Sequence, residues 1–370
     1  MNASLRRIAV AARKEFLHII RDPQSLFIVI MLPVVMMFLY GYALNADIHN
    51  AELVIEQPVP SPAARVLESR LDGSPFFAVT QILPPSSDPT QVFRARHTRA
   101  LLRLPPDLDA GLRRPGAASM QVVVDGSDPN VGAQMRAAVE GATQKILLDH
   151  LNMKPPKILD QRTVVLYNPQ QRSALFFVPG LMAIILLMIS ALLTSIAITK
   201  EKETGTLSQL LITPLRPREI IAGKLLPYVA LASLDGILIL TVGYLVFGVR
   251  VAGSVTFLAL CSLAYIFTAL SIGLLISTLA KRQLHAMMMT QLATMLPTVM
   301  LSGFIFPVSS MPMVLRGISH IVPATYYLQI VRGIILKGVG LHELWIPLLV
   351  LCAQGILLFM ISVFKFRVKL

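Results

Sequence analysis

Charged side chains are missing from five long stretches of this chain. Residues 24–44, 173–199, 251–280, 283–315 and 344–364 contain no Asp, Glu, Lys or Arg, and residues 225–249 contain only Asp235. Each run exceeds the roughly 18 apolar residues that mark a candidate membrane helix. Hydrocarbon offers the backbone no hydrogen-bond partners, so such runs must satisfy themselves as helices. The sequence therefore predicts a mainly α membrane protein with six transmembrane helices, at about 24–44, 174–199, 225–248, 255–279, 286–306 and 344–364. The first run follows 23 residues and outlasts the roughly 7–15-residue apolar core of a signal peptide, so it reads as a retained anchor. Composition agrees: 55% of the 370 residues are hydrophobic and 14% charged, against about a quarter charged in soluble domains.

Lys and Arg set the orientation. With both ends cytoplasmic, segments 1–23, 200–224, 280–285 and 365–370 hold 5, 5, 2 and 3 basic residues. The short outer loops hold four, Arg250, Arg316, Arg332 and Lys337. The bias toward the inside predicts both ends in the cytoplasm. Segment 45–172 is then extracytoplasmic, and its 14 basic and 13 acidic residues leave it nearly neutral. The net charge of +13 falls mainly on the inner face. It points to anionic lipid headgroups as the partner, not nucleic acid. Cys261 and Cys352 both fall inside predicted spans and read as packing residues, with no metal site.

Four segments lie outside the spans. Residues 4–22 place Leu5, Ile8, Ala12, Phe16, Ile19 and Ile20 at helical spacing, with Arg6, Arg7, Arg13, Lys14 and Arg21 mainly elsewhere. That pattern predicts an amphipathic helix on the inner membrane surface, ended by Asp22-Pro23. Segment 45–172 alternates strand and helix signals. ELVIE, FFAVTQIL, ALLRL and SMQVVVD read as strands; SPAARVLESRL, DPTQVFRARHTRA, PDLDAGLRR and VGAQMRAAVEGATQKILLDHL read as helices; GSDPN reads as a turn. This predicts a small α/β domain. Asn168-Pro169 marks the return to the membrane. Segment 303–342, apolar but broken by Pro307, Pro312 and Pro323, predicts an outer re-entrant hairpin, with Tyr326 and Tyr327 at the interface.

Three groups of residues stand out as candidates. The first is the hydrophilic stretch 200–224. Its leading Lys200, Glu201, Lys202 and Glu203 read most simply as a solvated helix end. A short helix follows from Thr206, with Leu207, Leu210 and Leu211 on one side, until Pro214 stops it; Pro217 then opens the next helix. An apolar face edged by Glu201 and Glu203 needs lipid or a partner protein to cover it. The second group is a polar stripe in the fifth span, Thr290, Gln291, Thr294 and Thr298 beside Met287, with Ser190 and Thr194 as its counterpart in the second. Two readings stand: interhelical hydrogen bonding, and an adaptable path for apolar ligands. The third is Asp235, an acid within a span and so a functional candidate by default. It carries two readings, a structural or dimer contact and a part in transport. His18, His285, His320 and His342 read as interfacial residues.

The sequence resembles an ABC-2 type permease, the transmembrane subunit of an ABC exporter, in the bacterial multidrug-exporter-like branch with a large extracytoplasmic domain. The residues that carry the resemblance are RKEFLHIIRDPQSLF (13–27), LYNPQQRSALFFVPG (166–180), KEKETGTLSQLLITPLRPREIIAGK (200–224), LSGFIFPVSSMP (301–312) and RGIILKG (332–338). They occur in order over essentially the whole chain. The resemblance implies a coupling helix in 200–224 that docks on separate ATPase subunits, with Glu201, Glu203, Thr204, Gly205, Thr206, Leu207 and Leu210 as docking candidates. It implies a connecting helix at 1–23, a first span at 24–44, an outer domain at 45–172, and the remaining spans within 173–370. It implies a second permease subunit, a periplasmic adaptor, a site in the bacterial inner membrane, and a path lined by the second and fifth spans.

No G-x-x-x-x-G-K-[ST] is present, so a P-loop is not expected. ATP and Mg²⁺ would then belong to the partner, and the chain is expected to carry no catalytic site or cofactor of its own. Two other classes compete. An ion-coupled secondary transporter would show internal repeats, and a membrane receptor would need a cytoplasmic output domain. The chain shows neither.

Overall fold

The computed structural model describes residues 3–43, 51–73, 77–83, 92, 98, 100–106, 108–112, 120–124, 136, 139–143, 167–168, 172–206 and 217–368. The chain divides into two compact units, one of residues 1–45 with 165–370, the other of residues 46–164.

The smaller unit is α/β. Strand β1 (Ala51–Glu56) leads through helix α3 (Pro62–Asp72) to β2 (Phe77–Leu83), and β3 (Ala100–Arg103), helix α4 (Leu108–Leu112) and β4 (Gln121–Val124) follow. The strand order is β2-β1-β3-β4. The first two pairings are parallel and the third antiparallel, as a helical crossover after β1 requires. Ser61 starts α3 by accepting from the Ala64 amide at 3.2 Å, with Pro62 in the first turn. Leu53, Ile55, Leu67, Leu71, Phe77 and Leu102 fill one side of the sheet. Val54 and Leu101 fill the other, in keeping with alternating strand faces. Most of the helix expected in DPTQVFRARHTRA, the GSDPN turn and the ends of the helix expected from Val131 lie outside the described residues.

The larger unit is helical. It begins with α1 (Ala3–Ile20) and α2 (Pro23–Ala43), and continues with α5 (Ser173–Glu203), α6 (Pro217–Leu245), α7 (Val255–Leu279) and α8 (Gln283–Leu301). The short helices α9 (Met313–Ser319) and α10 (Pro323–Arg332) then lead through a π turn, Gly333–Lys337, to α11 (Leu341–Val368). Among the described residues five helices are long and apolar enough to cross a membrane: Ser173–Glu203, Ile221–Leu245, Val255–Leu279, Gln283–Leu301 and Leu341–Lys365. The apolar stretch Val29–Tyr42 within α2 is shorter. The chain is thus a multi-pass membrane protein.

Several helix ends differ from the expected spans. The second span does not stop at residue 199; α5 runs through Lys200–Glu203, because charge at an aqueous helix end does not break it. The third begins at Pro217 and ends at Leu245. The fifth ends at Leu301, not 306; the charge-free run continues, but Gly303 turns at φ +88°. In 303–342 each proline opens a short piece. Pro307 precedes the turn Val308–Ser310, Pro312 precedes α9, and Pro323 lies in the first turn of α10.

The core of this unit is α5, buried along most of its length. Helix α7 approaches it closely: a Cβ on Gly273 would collide with the Ala191 carbonyl oxygen. Small residues at crossings permit such contact where lipid gives no hydrophobic drive. Tyr265 donates to the Ala183 carbonyl at 2.8 Å. Its ring stacks on Tyr327 at 3.9 Å, tying α10 to the same core.

Candidate functional site

The charged ends of α5 and α6 meet α1. Gly223 lets α6 touch α1, since a Cβ there would lie 2.6 Å from that of Ala11. In the next residue, Lys224, Nζ stands 2.5 Å from Glu201 Oε1 and 3.5 Å from Glu15 Oε2. Tyr228 donates its hydroxyl to Glu15 Oε1 at 3.1 Å. Glu15 is 8% exposed and Lys224 7%. Two carboxylates thus share one buried ammonium, and the second oxygen of Glu201 is buried with no hydrogen-bond partner among the described residues. Arg7 adds a longer contact to Glu219, at 3.8 Å.

The Lys200–Glu203 run is not the solvated helix end that charge alone suggests. Glu201 pairs with Lys224 of α6, which in turn holds Glu15 of α1. Lys202 donates to the Ser277 carbonyl at 2.6 Å, at the end of α7, where a cation suits the free carbonyls. Glu203 Oε2 accepts from the Gln283 amide at 3.0 Å and from its side chain at 3.1 Å. It therefore caps α8 from another helix, a place where negative charge is favoured. Three successive side chains join the end of α5 to three different helices.

Beyond them Thr204 donates to the Lys200 carbonyl and lies 3.1 Å from Thr206 Oγ1. Gly205 adopts φ +74°, a left-handed conformation that suits glycine. Thr204, Gly205 and Thr206 are exposed. Leu207, Leu210 and Leu211 lie outside the described residues.

The polar residues of α5 and α8 meet in part. Thr290, Thr294 and Thr298 are buried on one face of α8, and Thr290 Oγ1 lies 2.8 Å from Ser195 Oγ. Thr194 donates to the Ser190 carbonyl at 3.1 Å, and Thr294 to the Thr290 carbonyl at 2.7 Å. Gln291 is not on this face: it is exposed, as are Met287 and Met288. It follows Thr290 directly and is turned about 100° from it. The hydroxyl stripe packs inward and the Gln–Met stripe faces outward. Ser190 and Thr298 keep hydroxyls without a hydrogen-bond partner among the described residues. Asp235 is 1% exposed, and neither carboxyl oxygen has such a partner.

Sequence reasoning missed Glu15, Lys202, Lys224, Ser195 and Arg332. Glu15 had a signal: it falls between Ala12 and Ile19, on the apolar stripe of its helix. Arg332 had none. Its Nη1 donates to Gly303 at 2.9 Å and its Nη2 to the Phe304 carbonyl at 3.3 Å. Its guanidinium lies 3.8 Å over the Phe176 ring. Burial pushes this group down to about 10, so it stays charged at neutral pH and needs those carbonyls. Among the described residues no cluster of three or more His, Cys, Asp or Glu could hold a metal ion.

Residues 23–364 match the family model for the ABC-2 family transporter protein. The chain is 34% identical over 340 residues to the probable multidrug ABC transporter permease YbhS of Escherichia coli (strain K12), covering 90% of each. It is 28% identical over 352 residues to the probable multidrug ABC transporter permease YbhR of the same strain, covering 94% of this chain and 95% of that one. It is 26% identical over 300 residues to the inner membrane transport permease YhhJ of that strain, covering 79% of each.

Proposed function

Because this chain belongs to the ABC-2 family of transporter proteins, we propose that it is the permease subunit of an ATP-driven exporter in a bacterial inner membrane. Two permease subunits form the export path, and separate ATPase subunits supply the energy. The cargo is drugs or other amphipathic small molecules, by analogy with the probable multidrug permeases YbhS and YbhR. Six helices cross the bilayer, α2 being the first, with both ends cytoplasmic and the α/β unit outside, where it meets an adaptor. ATP and Mg²⁺ bind the partner, and this chain is not itself an ATPase.

One observation carries the coupling mechanism: the end of α5 is fastened to α6, α7 and α8, and through Lys224 of α6 to α1. A push delivered at Thr204–Thr206 and the residues after it reaches four helices through short, partly buried contacts. Docking then falls to the exposed Thr204, Gly205 and Thr206, followed by Leu207 and Leu210. Glu201 and Glu203 transmit the push, since both are engaged within the chain. In the membrane, the α5–α8 seam of Ser190, Thr194, Thr290, Thr294 and Thr298 is the element that reopens, and the outward Met287 and Gln291 face the second permease. Asp235, buried within α6, serves as a structural or dimer contact of the bundle.

Co-purification tests the proposal. Tagged chain extracted from membranes should retain a subunit that hydrolyses ATP. Proton- or sodium-driven transport by the purified chain alone would overturn it.

A further inference from the structure

The α/β unit is inserted between two helices of the membrane unit: the chain leaves after α2 and returns at α5. The ends of both helices converge on one residue, Phe247, just past the end of α6. On one side its ring packs on α2. It lies 5.5 Å from the Tyr42 ring and 6.5 Å from the Phe38 ring. Gly41 leaves the space it occupies, since a Cβ there would collide with it. On the other side the Phe247 carbonyl accepts from Arg172 Nη2 at 2.7 Å. A basic side chain suits a carbonyl left over at a helix end. One residue thus holds the outgoing connection by its side chain and the returning connection by its backbone.

The returning connection is itself braced. Asn168 Nδ2 donates to the Arg172 carbonyl at 3.0 Å, and Asn168 Oδ1 accepts from the Arg172 amide at 2.9 Å. Residues 168 and 172 are therefore fixed to each other. Tyr167, just before them, is held at φ +68°, a conformation that is costly for a bulky residue and persists only where its surroundings impose it. Lys337 Nζ lies 6.0 Å from the centre of its ring, at the outer limit of a cation–π contact. The contacts on Phe247 are short-ranged, one ring cluster and one charge-assisted hydrogen bond. They share a single residue, so a shift that spoils one disturbs the other.

We propose that Phe247 is a latch that couples the two connections of the α/β unit, so that displacing either one releases the other. A displacement of either connection is then also passed to α6, whose other end carries Gly223 and Lys224 at the junction with α1 and α5. That the latch opens as cargo leaves rests on the exporter reading; the coupling itself does not.

Hydrogen exchange on the full chain in lipid nanodiscs provides the test, read at amides 40–43 of α2 and 172–177 of α5. Arg172→Gln should accelerate exchange at 172–177 about tenfold, the loss of one charge-assisted contact. It should also accelerate 40–43, residues with which Arg172 shares no hydrogen bond among the described residues. Tyr42→Ala removes one ring of the cluster at an exposed position. It should accelerate 172–177 as well as 40–43, because a coupling free energy is reciprocal. It carries the test alone if Arg172→Gln fails to insert. Amides 283–286, at the start of α8, should not change in either variant. Acceleration confined to the mutated side in any variant that inserts, or spread equally to 283–286, would overturn the proposal. Because no ATPase is present, failure here leaves the co-purification result untouched, and failure of co-purification leaves this coupling intact.

Discussion

Lys224→Met is the most informative substitution at the helix junction. It removes the one ammonium, 2.5 Å from Glu201 and 3.5 Å from Glu15, and leaves two carboxylates facing each other in a site where each partner is largely buried. Breaking a buried ion pair by deleting one member costs about 3–5 kcal/mol, chiefly because the survivor has no counter-charge. Here two survivors remain. Glu201→Gln acts in the opposite direction on the charge balance: it leaves Lys224 paired with Glu15 and the cluster neutral, so about 1 kcal/mol is expected. The triple variant Glu15→Gln, Lys224→Met, Glu201→Gln removes every charge and should recover most of the loss. Apparent melting temperature and yield of inserted protein should therefore rank wild type, Glu201→Gln and the triple variant well above Lys224→Met. If Lys224→Met melted with wild type, or if Glu201→Gln were the worse of the two, the shared-ammonium account would be wrong.

Three further substitutions probe other joints. Glu203→Ala removes the cap on α8, so hydrogen exchange at residues 283–286 should accelerate while α7 is unchanged. Arg332→Lys keeps the charge but cannot fork across the Gly303 and Phe304 carbonyls 2.9 and 3.3 Å away, and should cost about 1–3 kcal/mol in thermal unfolding. Gly273→Leu drives a side chain into the Ala191 carbonyl oxygen; it should abolish inserted, folded protein by size-exclusion profile, whereas Gly141→Ala, with nothing within 4 Å, should be tolerated.

The helices were legible because charge is excluded from them, and the β1–α3–β2 order because its periodicity changes from two to nearly four. Their ends were less so. The fifth run stays uncharged through Leu315, yet α8 stops at Leu301, since lack of charge permits a helix but does not extend one. Spacing put Gln291 with Thr290, whereas rotation about the helix axis separates neighbours. The junction was half legible. The stretch around Glu201 drew attention, but its role depends on Glu15, which lies 209 residues from their common partner Lys224. Glu203 and Gln283 are likewise 80 residues apart. No local pattern encodes such pairs, and Glu15 shows only as an acid on an apolar stripe.

In the function proposed above, this chain moves amphipathic cargo with energy supplied by another subunit. Inside-out vesicles containing the chain and its co-purifying ATPase measure this directly. Accumulation of a fluorescent amphiphile should need ATP hydrolysis, persist when ion gradients are collapsed, and disappear when the ATPase is omitted. Accumulation that survives without the ATPase and follows a proton or sodium gradient would contradict it.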